Sequence, residues 1–251
     1  MTTPAPFSRP GPSGLPVSAA PTLPMAATML ALVATLLGPA PAQAASLCER
    51  GLRQSPIDIT GARRSALPPL QFEYHPSAAR LANDGHTVRV HLPTGVLASR
   101  LLIAGVPHPL SQFHFHRTGG DRIAGEDFPL GLHFLHKSPA GQLVSLVVLL
   151  RQGQENAALA RLLPLMPAVG ASPVKVAQLP IDPTALIPSQ RGYYQYEGSL
   201  TGPPCTEGVR WIVMKQPLEL SAAQLDELAR RFPPNARPVQ PLNGRVVLEG
   251  G

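Results

Sequence analysis

Several short stretches of the chain are rich in apolar and branched residues, which is typical of β-strands. Glycine, proline or polar turns bound five of these stretches, and we predict strands at 87–91, 110–116, 132–136, 143–150 and 209–215. Two helices are predicted between them. Residues 156–163 are rich in Ala and Leu, and 221–231 open with a Ser-x-x-Gln capping box. The pattern alone therefore predicts a mixed, strand-dominated domain.

The second predicted strand carries the candidate chemistry in the run Gln-Phe-His-Phe-His at 112–116. Side chains alternate along a strand, so His114 and His116 share one face. The following residues, 117–126, are rich in glycine and charge and predict a hairpin that brings His133 beside them. His136 is odd-spaced from His133 and should face away. Three neutral imidazoles with one open position are typical of a catalytic zinc site; the alternative is scattered polar residues on half-buried strands.

Length and composition bound the architecture. The 251 residues are 44% hydrophobic, which is enough for one substantial core, and they show no internal repeat. The apolar run 25–37 is too short to span a bilayer and precedes a small-x-small cleavage motif at 42–44. We therefore expect a signal peptide and N-terminal extension over 1–44, unless translation starts at Met25, and a periplasmic or secreted domain over 45–251 with no membrane span.

Charge argues against a nucleic-acid partner. The net charge of +6 is dispersed along the chain, and no RNA- or DNA-binding motif is present. We interpret it as favouring solubility or a mild attraction for anions such as bicarbonate. The expected assembly is a monomer or a homodimer.

Five motifs, in order, carry a family resemblance: 54–59 (QSPIDI), 83–88 (NDGHTV), the histidine strands, 198–205 (GSLTGPPC) and 237–245 (RPVQPLNGR). With these motifs the chain from Cys48 to its C-terminus resembles the alpha-class carbonic anhydrases, in particular the exported bacterial type. The resemblance implies a mostly β (α+β) fold with a few short helices. It also implies a large, twisted, mainly antiparallel central sheet and a conical cleft with zinc at its floor.

The resemblance also implies ligands and a substrate. Zn²⁺ would be held by His114, His116 and His133, and the substrate pair would be carbon dioxide and bicarbonate. Gln112 matches the family position that accepts the ring proton of the first ligand. Thr201 matches the hydroxyl that orients the nucleophile.

Residues of the cleft follow from the same comparison. His86 matches the proton shuttle, although an exposed loop histidine is the alternative. Ser145 falls where a valine of the cleft wall is expected. The apolar wall would consist of Leu135, Leu200, Val209 and Trp211, with Gly202 in place of a second threonine. These wall residues are equally suited to an ordinary core.

Exported bacterial members imply a disulfide between Cys48 and Cys205; two buried free thiols are the alternative. The chain also departs from the family. Gly120 stands where a glutamate normally accepts the proton of the threonine hydroxyl, with Asp121 or a water as candidate replacements. Gly131 stands where another glutamate normally accepts the ring proton of the third ligand. The Trp-Gly-Tyr segment that usually precedes the first cysteine is absent.

Two functions of different class follow. One is a zinc lyase that interconverts carbon dioxide and bicarbonate, at a rate reduced by the two glycines. The other is a non-catalytic, zinc-binding relative whose cleft or surface binds another molecule. The ligand histidines together with Thr201 and His86 favour the enzyme, because a binding module needs no proton shuttle.

Overall fold

The structure is a computed structural model, and it describes residues 46–251. The signal peptide and extension predicted for 1–44 lie outside the described residues. The strands are β1 (Asp58–Ile59), β2 (Arg63–Arg64), β3 (Leu70–Glu73), β4 (Ser77–Asn83), β5 (Val88–His91), β6 (Arg100–Ile103), β7 (Val106–Arg117), β8 (Arg122–Ile123), β9 (Leu130–Lys137), β10 (Leu143–Gln152), β11 (Val174–Ile181), β12 (Tyr193–Ser199), β13 (Glu207–Met214), β14 (Leu218–Leu220) and β15 (Leu248–Gly250). The helices are α1 (Leu47–Arg50), α2 (Ala157–Leu162) and α3 (Ala222–Arg231), with 3₁₀ turns at Gly95–Leu97, Leu163–Leu165 and Pro183–Leu186.

Most strands join one large mixed sheet of 13 strands. Its main path runs β11-β4-β5-β7-β9-β10-β13-β12-β15-β2, and β1 pairs with β8 separately. The neighbours at the centre, β5, β7, β9 and β10, are antiparallel, whereas β10 and β13 run parallel. All five predicted strands and both predicted helices are present, and the predicted strand-dominated fold is confirmed. Within residues 46–251, no helix is long and apolar enough to cross a membrane.

The two faces of the central strands pack against two different apolar clusters, because side chains alternate along each strand. One face of β7 and β9 places Phe113 and Phe134 in the main apolar core. The other face of β10 and β13 carries a second apolar cluster around Val147 and Trp211. The histidine positions of β7 and β9 lie on this second side. The candidate site is therefore built against a packed apolar floor rather than in a loop.

A β-bulge in β7 determines which of its residues face the histidine side of the sheet. Leu110 pairs with His136 and Gln112 pairs with Leu135, so Ser111 is the extra residue of the bulged strand. Leu110 and Phe113 consequently face the same core although they are three residues apart. The alternation changes phase at the bulge, and the run 112–116 presents its polar residues to the opposite side.

Side chains cap the N-termini of the helices α2 and α3. The Ser221 hydroxyl accepts from the Gln224 amide, and Gln224 Oε1 accepts from the Ser221 amide at 3.1 Å, which completes the predicted capping box. Asn156 caps α2 by accepting from two amides of its first turn. Gln224 also bonds Asn156, so the two helix starts are joined at the edge of the domain.

Candidate metal centre and cleft

Three histidines converge at the centre of the sheet. His114 in β7 lies directly opposite His133 in the antiparallel strand β9, and His116 is two residues along on the same face. Their ring centroids are 4.3 to 5.5 Å apart, and one donor nitrogen from each ring lies within 4.8 Å of the others. In the part of the chain that the structure describes, this is the only such group of His, Cys, Asp or Glu side chains.

The three imidazoles are neutral at physiological pH. Burial lowers the pKa of His116 to about 4. Burial also holds the pKa values of His114 and His133 well below the ordinary value, and the neighbouring histidines lower both further. Neutral imidazoles keep a free lone pair, which is the form that binds a metal ion.

One nitrogen of each ring is turned away from the cleft. Nδ1 of His114 bonds Gln112 Oε1 at 3.1 Å, while Nδ1 of His116 and Nε2 of His133 are buried without a partner in full hydrogen-bonding geometry. The backbones of Asn235 and Gly119 lie close to these two rings, and each partly opposes the lowering of the His116 or His133 pKa by burial.

The remaining nitrogens are Nε2 of His114, Nε2 of His116 and Nδ1 of His133. The first two approach to 3.0 Å. Two neutral rings at this distance can satisfy only one lone pair by a hydrogen bond between them. A cation held by all three nitrogens would satisfy every one, so the donor set fits a tetrahedral metal with one open position.

A cleft of about 560 Å³ opens above these nitrogens. Every cleft residue predicted from the sequence lines it: His86, Gln112, His114, His116, His133, Leu135, Ser145, Leu200, Thr201, Gly202, Val209 and Trp211. Sequence reasoning missed Asp84, Thr87, Arg89, Ser199 and Pro203, which also contribute. Asp84 and Arg89 form an ion pair there, and no spacing in the sequence predicts that pair. A groove of about 630 Å³ elsewhere, beside α2, has no histidine in its lining.

Strand register assembles one wall of the cleft. Ser145 in β10 pairs with Leu135 on one side and with Trp211 on the other, so these side chains form a row across three strands. The indole of Trp211 packs edge-on against the His133 ring, with centroids 5.2 Å apart. Its Nε1 donates to Ser199 O at 2.9 Å, which leaves the apolar part of the ring toward the cleft. Ser145 does lie in the wall, and its buried hydroxyl has no partner among the described residues.

Comparison with known proteins decides the family, because a model of eukaryotic-type carbonic anhydrase matches residues 40–250. The chain belongs to the alpha carbonic anhydrase family. A carbonic anhydrase of Neisseria gonorrhoeae is 41% identical over 204 residues, which is 81% of this chain and 79% of that protein. One of Klebsiella pneumoniae is 40% identical over 203 residues, covering 80% of this chain and 82% of the relative. The solved alpha-carbonic anhydrase of Photobacterium profundum superposes with a TM-score of 0.75 at 39% identity, over 80% of this chain and 91% of that one.

Thr201, which the family resemblance singles out, lies in a short turn that lines the same cleft as the three histidines. The turn is closed by bonds from Leu200 N to Thr206 O and from Cys205 N to Gly202 O, both at 2.9 Å. The Thr201 hydroxyl bonds no other group within 46–251. A hydroxyl rotates freely unless an acceptor for its proton fixes its direction.

The residues that follow the histidine strand do not supply that acceptor. Gly120 has a φ of +100°, and a Cβ built on it would stand 3.7 Å from Pro56, so the space is open. The next residue, Asp121, is buried, and its Oδ1 accepts from Ile57 N at 3.0 Å and from the Tyr196 hydroxyl at 2.8 Å. This carboxylate is therefore occupied within the second apolar cluster and makes no bond to Thr201.

Three further features singled out from the sequence are the rim histidine, His136 and the cysteine pair. His86 is exposed at the rim of the cleft, in a turn closed by its own amide donating to Asp84 Oδ1 at 3.0 Å. His136 faces away from the metal position, as predicted, and bonds the Tyr74 hydroxyl on the other side of the sheet. The structure contains the disulfide between Cys48 and Cys205.

Proposed function

We propose that the chain is an exported zinc enzyme that catalyses the reversible hydration of carbon dioxide to bicarbonate and a proton. The observation that carries the proposal is the convergence of three buried, neutral imidazoles at the floor of a cleft with an apolar wall. Three nitrogen donors with one open position are the coordination that catalytic zinc takes in proteins. Export agrees with the disulfide and with the leader predicted over 1–44.

The proposed ligands are Nε2 of His114, Nε2 of His116 and Nδ1 of His133. Bound zinc supplies the positive charge that makes a water molecule nucleophilic near neutral pH. The protein's part is to keep the rings neutral and correctly turned. Burial keeps them neutral, and Gln112 fixes the His114 ring by accepting its Nδ1 proton.

Thr201 and the apolar wall would place the two reactants. The Thr201 hydroxyl would accept a hydrogen bond from the nucleophile and so direct a lone pair at the carbon of the substrate, while its amide would face the developing anion. Val209 and Trp211, both almost fully buried, offer carbon dioxide a surface on which water gains no hydrogen bond.

His86 would carry the released proton away. Its side chain is exposed at the mouth of the cleft, where an imidazole can accept a proton through water and release it to buffer. A proton acceptor at the rim has no use in a module that only binds a ligand. Its position therefore supports catalysis.

Zinc content and carbon dioxide hydration test this function together. The protein should bind about one zinc per chain and should hydrate carbon dioxide in a stopped-flow assay. His116→Ala should lose the zinc and the activity, because two imidazoles remain. His91→Ala, an exposed histidine of β5 outside the cleft, is the matched control and should change neither. Zinc that persists at full occupancy when all three histidines are replaced by alanine would refute the assignment.

A non-catalytic, zinc-binding relative is the second candidate. The observation that favours it is the Thr201 hydroxyl, which lacks the acceptor that Gly120 cannot provide. Loss of one oriented contact in the transition state typically costs on the order of a hundredfold in rate, so this observation favours a slow enzyme as much as an inactive one. A zinc-loaded protein with no hydration above background would decide for the binding module.

A further inference from the structure

A backbone carbonyl occupies the place where a side chain at position 131 would begin. A Cβ built on Gly131 would lie 2.4 Å from the carbonyl oxygen of Gly119 and 3.3 Å from its carbonyl carbon. Real Cβ atoms do not approach an oxygen so closely. The two glycines therefore allow the backbone of the β7–β9 connection to lie directly against β9.

The same carbonyl faces the third histidine. Gly131 and His133 are two residues apart in β9, so they point to the same side of the sheet. The Nε2 of His133 is buried on this side, and no side chain bonds it. The Gly119 backbone lies close enough to the ring to oppose the lowering of the His133 pKa by burial.

The connection is built to hold the carbonyl there. Thr118 N donates to Pro129 O at 2.9 Å and Gly120 N donates to Thr118 O at 2.7 Å, which fixes the turn on both sides of Gly119. Gly119 has a φ of +65°, and a Cβ on it would stand 2.7 Å from Phe128 O. Only glycine fits this position, because the left-handed conformation and the contact both exclude a side chain.

We propose that the Gly119 carbonyl is the positioning group of His133. It accepts a hydrogen bond from the Nε2–H group and leaves the lone pair of Nδ1 to hold the metal. The inference rests on the proposed zinc site and deepens it. A ligating imidazole needs its other nitrogen fixed, usually by a carboxylate or a backbone carbonyl. Here the carbonyl serves, and Gly131 is the residue that makes room for it. A neutral acceptor fixes the tautomer without adding a negative charge to the site.

Gly131→Ala tests this role, because the added methyl must displace the Gly119 carbonyl. The matched control is Gly125→Ala in the same connection. Gly125 also has a positive φ, of +81°, but a Cβ there meets nothing within 4 Å, so the change strains the backbone without moving Gly119. Zinc affinity by chelator competition should fall roughly ten- to a hundredfold in Gly131→Ala and stay at the parent value in Gly125→Ala.

An imidazole nitrogen NMR spectrum gives a readout that a loss of stability alone would not change. In the parent, with and without zinc, the His133 proton should reside on Nε2 and exchange slowly with solvent. In Gly131→Ala the exchange should accelerate. Unchanged zinc affinity and unchanged exchange in that variant would overturn the inference, and so would a metal-free parent with the proton on Nδ1.

These outcomes separate the inference from the proposed function. A parent that binds no zinc refutes the zinc enzyme, and the metal-free spectrum still decides whether Gly119 accepts from His133. A parent that binds zinc tightly with a rapidly exchanging Nε2 proton keeps the enzyme and refutes the role of Gly119. Because the parent spectra suffice for this decision, a failure of Gly131→Ala to fold leaves the question answerable.

Discussion

Asp121 is a carboxylate enclosed by the second apolar cluster, and it is 1% exposed. Its Oδ1 accepts from Ile57 and Tyr196, whereas its Oδ2 is buried without a partner. Burial raises its pKa to about 6, against the ordinary value of 3.8, and the two hydrogen bonds only partly oppose the rise. A charge at this position is therefore costly at neutral pH.

This cost predicts a pH-dependent stability. The folded chain holds the Asp121 proton more tightly than the unfolded chain, so its contribution is complete below pH 3.8 and is lost as the pH rises through about 6. Asp121→Asn removes the titration and keeps the acceptor oxygen. The free energy of unfolding of the parent relative to the variant should fall by on the order of 2–3 kcal/mol between about pH 4 and about pH 7.

Urea denaturation at a series of pH values measures this difference, and the comparison cancels the titration of the histidines. Asp226→Asn, on the exposed side of α3, is the control for removing a carboxylate as such. A parent-to-variant difference that stays constant across the range would contradict the account.

At the scale of elements, the connection between β7 and β9 has an unusual backbone conformation. Thr118, Gly119 and Gly120 follow one another with positive φ values of 70°, 65° and 100°. Such a run is rare and costly for residues with a side chain. A side chain at 120 would be strained by the positive φ, and one at 131 would also collide with the carbonyl oxygen of Gly119.

Gly120→Glu still has open space and tests the missing acceptor of Thr201. A carboxylate there should accept from the hydroxyl and raise the hydration rate of the zinc-loaded enzyme, by up to about a hundredfold. The positive φ should cost about 1–2 kcal/mol of unfolding free energy. Stopped-flow rates and denaturant titrations measure the two effects. Gly120→Ala carries the strain without the carboxylate. Equal hydration rates in the two variants would show that the missing acceptor of Thr201 does not limit the rate.

At the scale of the whole molecule, one covalent link ties the N-terminal helix of the described domain to the cleft. The disulfide joins α1 to the turn that carries Thr201, across 157 residues. Gln54 Nε2 donates to Cys205 O at 3.2 Å, and Arg237 bonds both Gln54 and the carbonyl of Cys48. The turn is thus held from two directions.

Reduction should therefore cost stability and activity together. In the chain-entropy model, a closed loop of this length stabilises by roughly 4–5 kcal/mol, and the Thr201 turn loses one anchor. The melting temperature and the hydration rate should both fall on reduction. The double variant Cys48→Ser/Cys205→Ser should already show both losses and not respond to reductant. Two titratable thiols in the oxidised protein would contradict the link.

Much of this arrangement could be predicted from the sequence, since alternation in 112–116 fixes the face of His114 and His116. The motif order placed Thr201 and the wall. The packing of Gly119 against Gly131 could not be predicted. It depends on the backbone conformation of a turn, which the residue types alone do not specify. The engagement of Asp121 by Ile57 and Tyr196 is likewise a long-range contact that local pattern does not encode.

The bulge at Ser111 has a practical consequence for engineering. The part of β7 before it pairs with β6, and the part after it carries His114 and His116, in opposite phase. A hairpin grafted in place of 98–110 would leave the imidazoles in the cleft as long as the extra residue is retained. Deleting that one residue would turn each following side chain of β7 to the opposite face of the sheet. Phe113 and Phe115 would then face the cleft in place of His114 and His116.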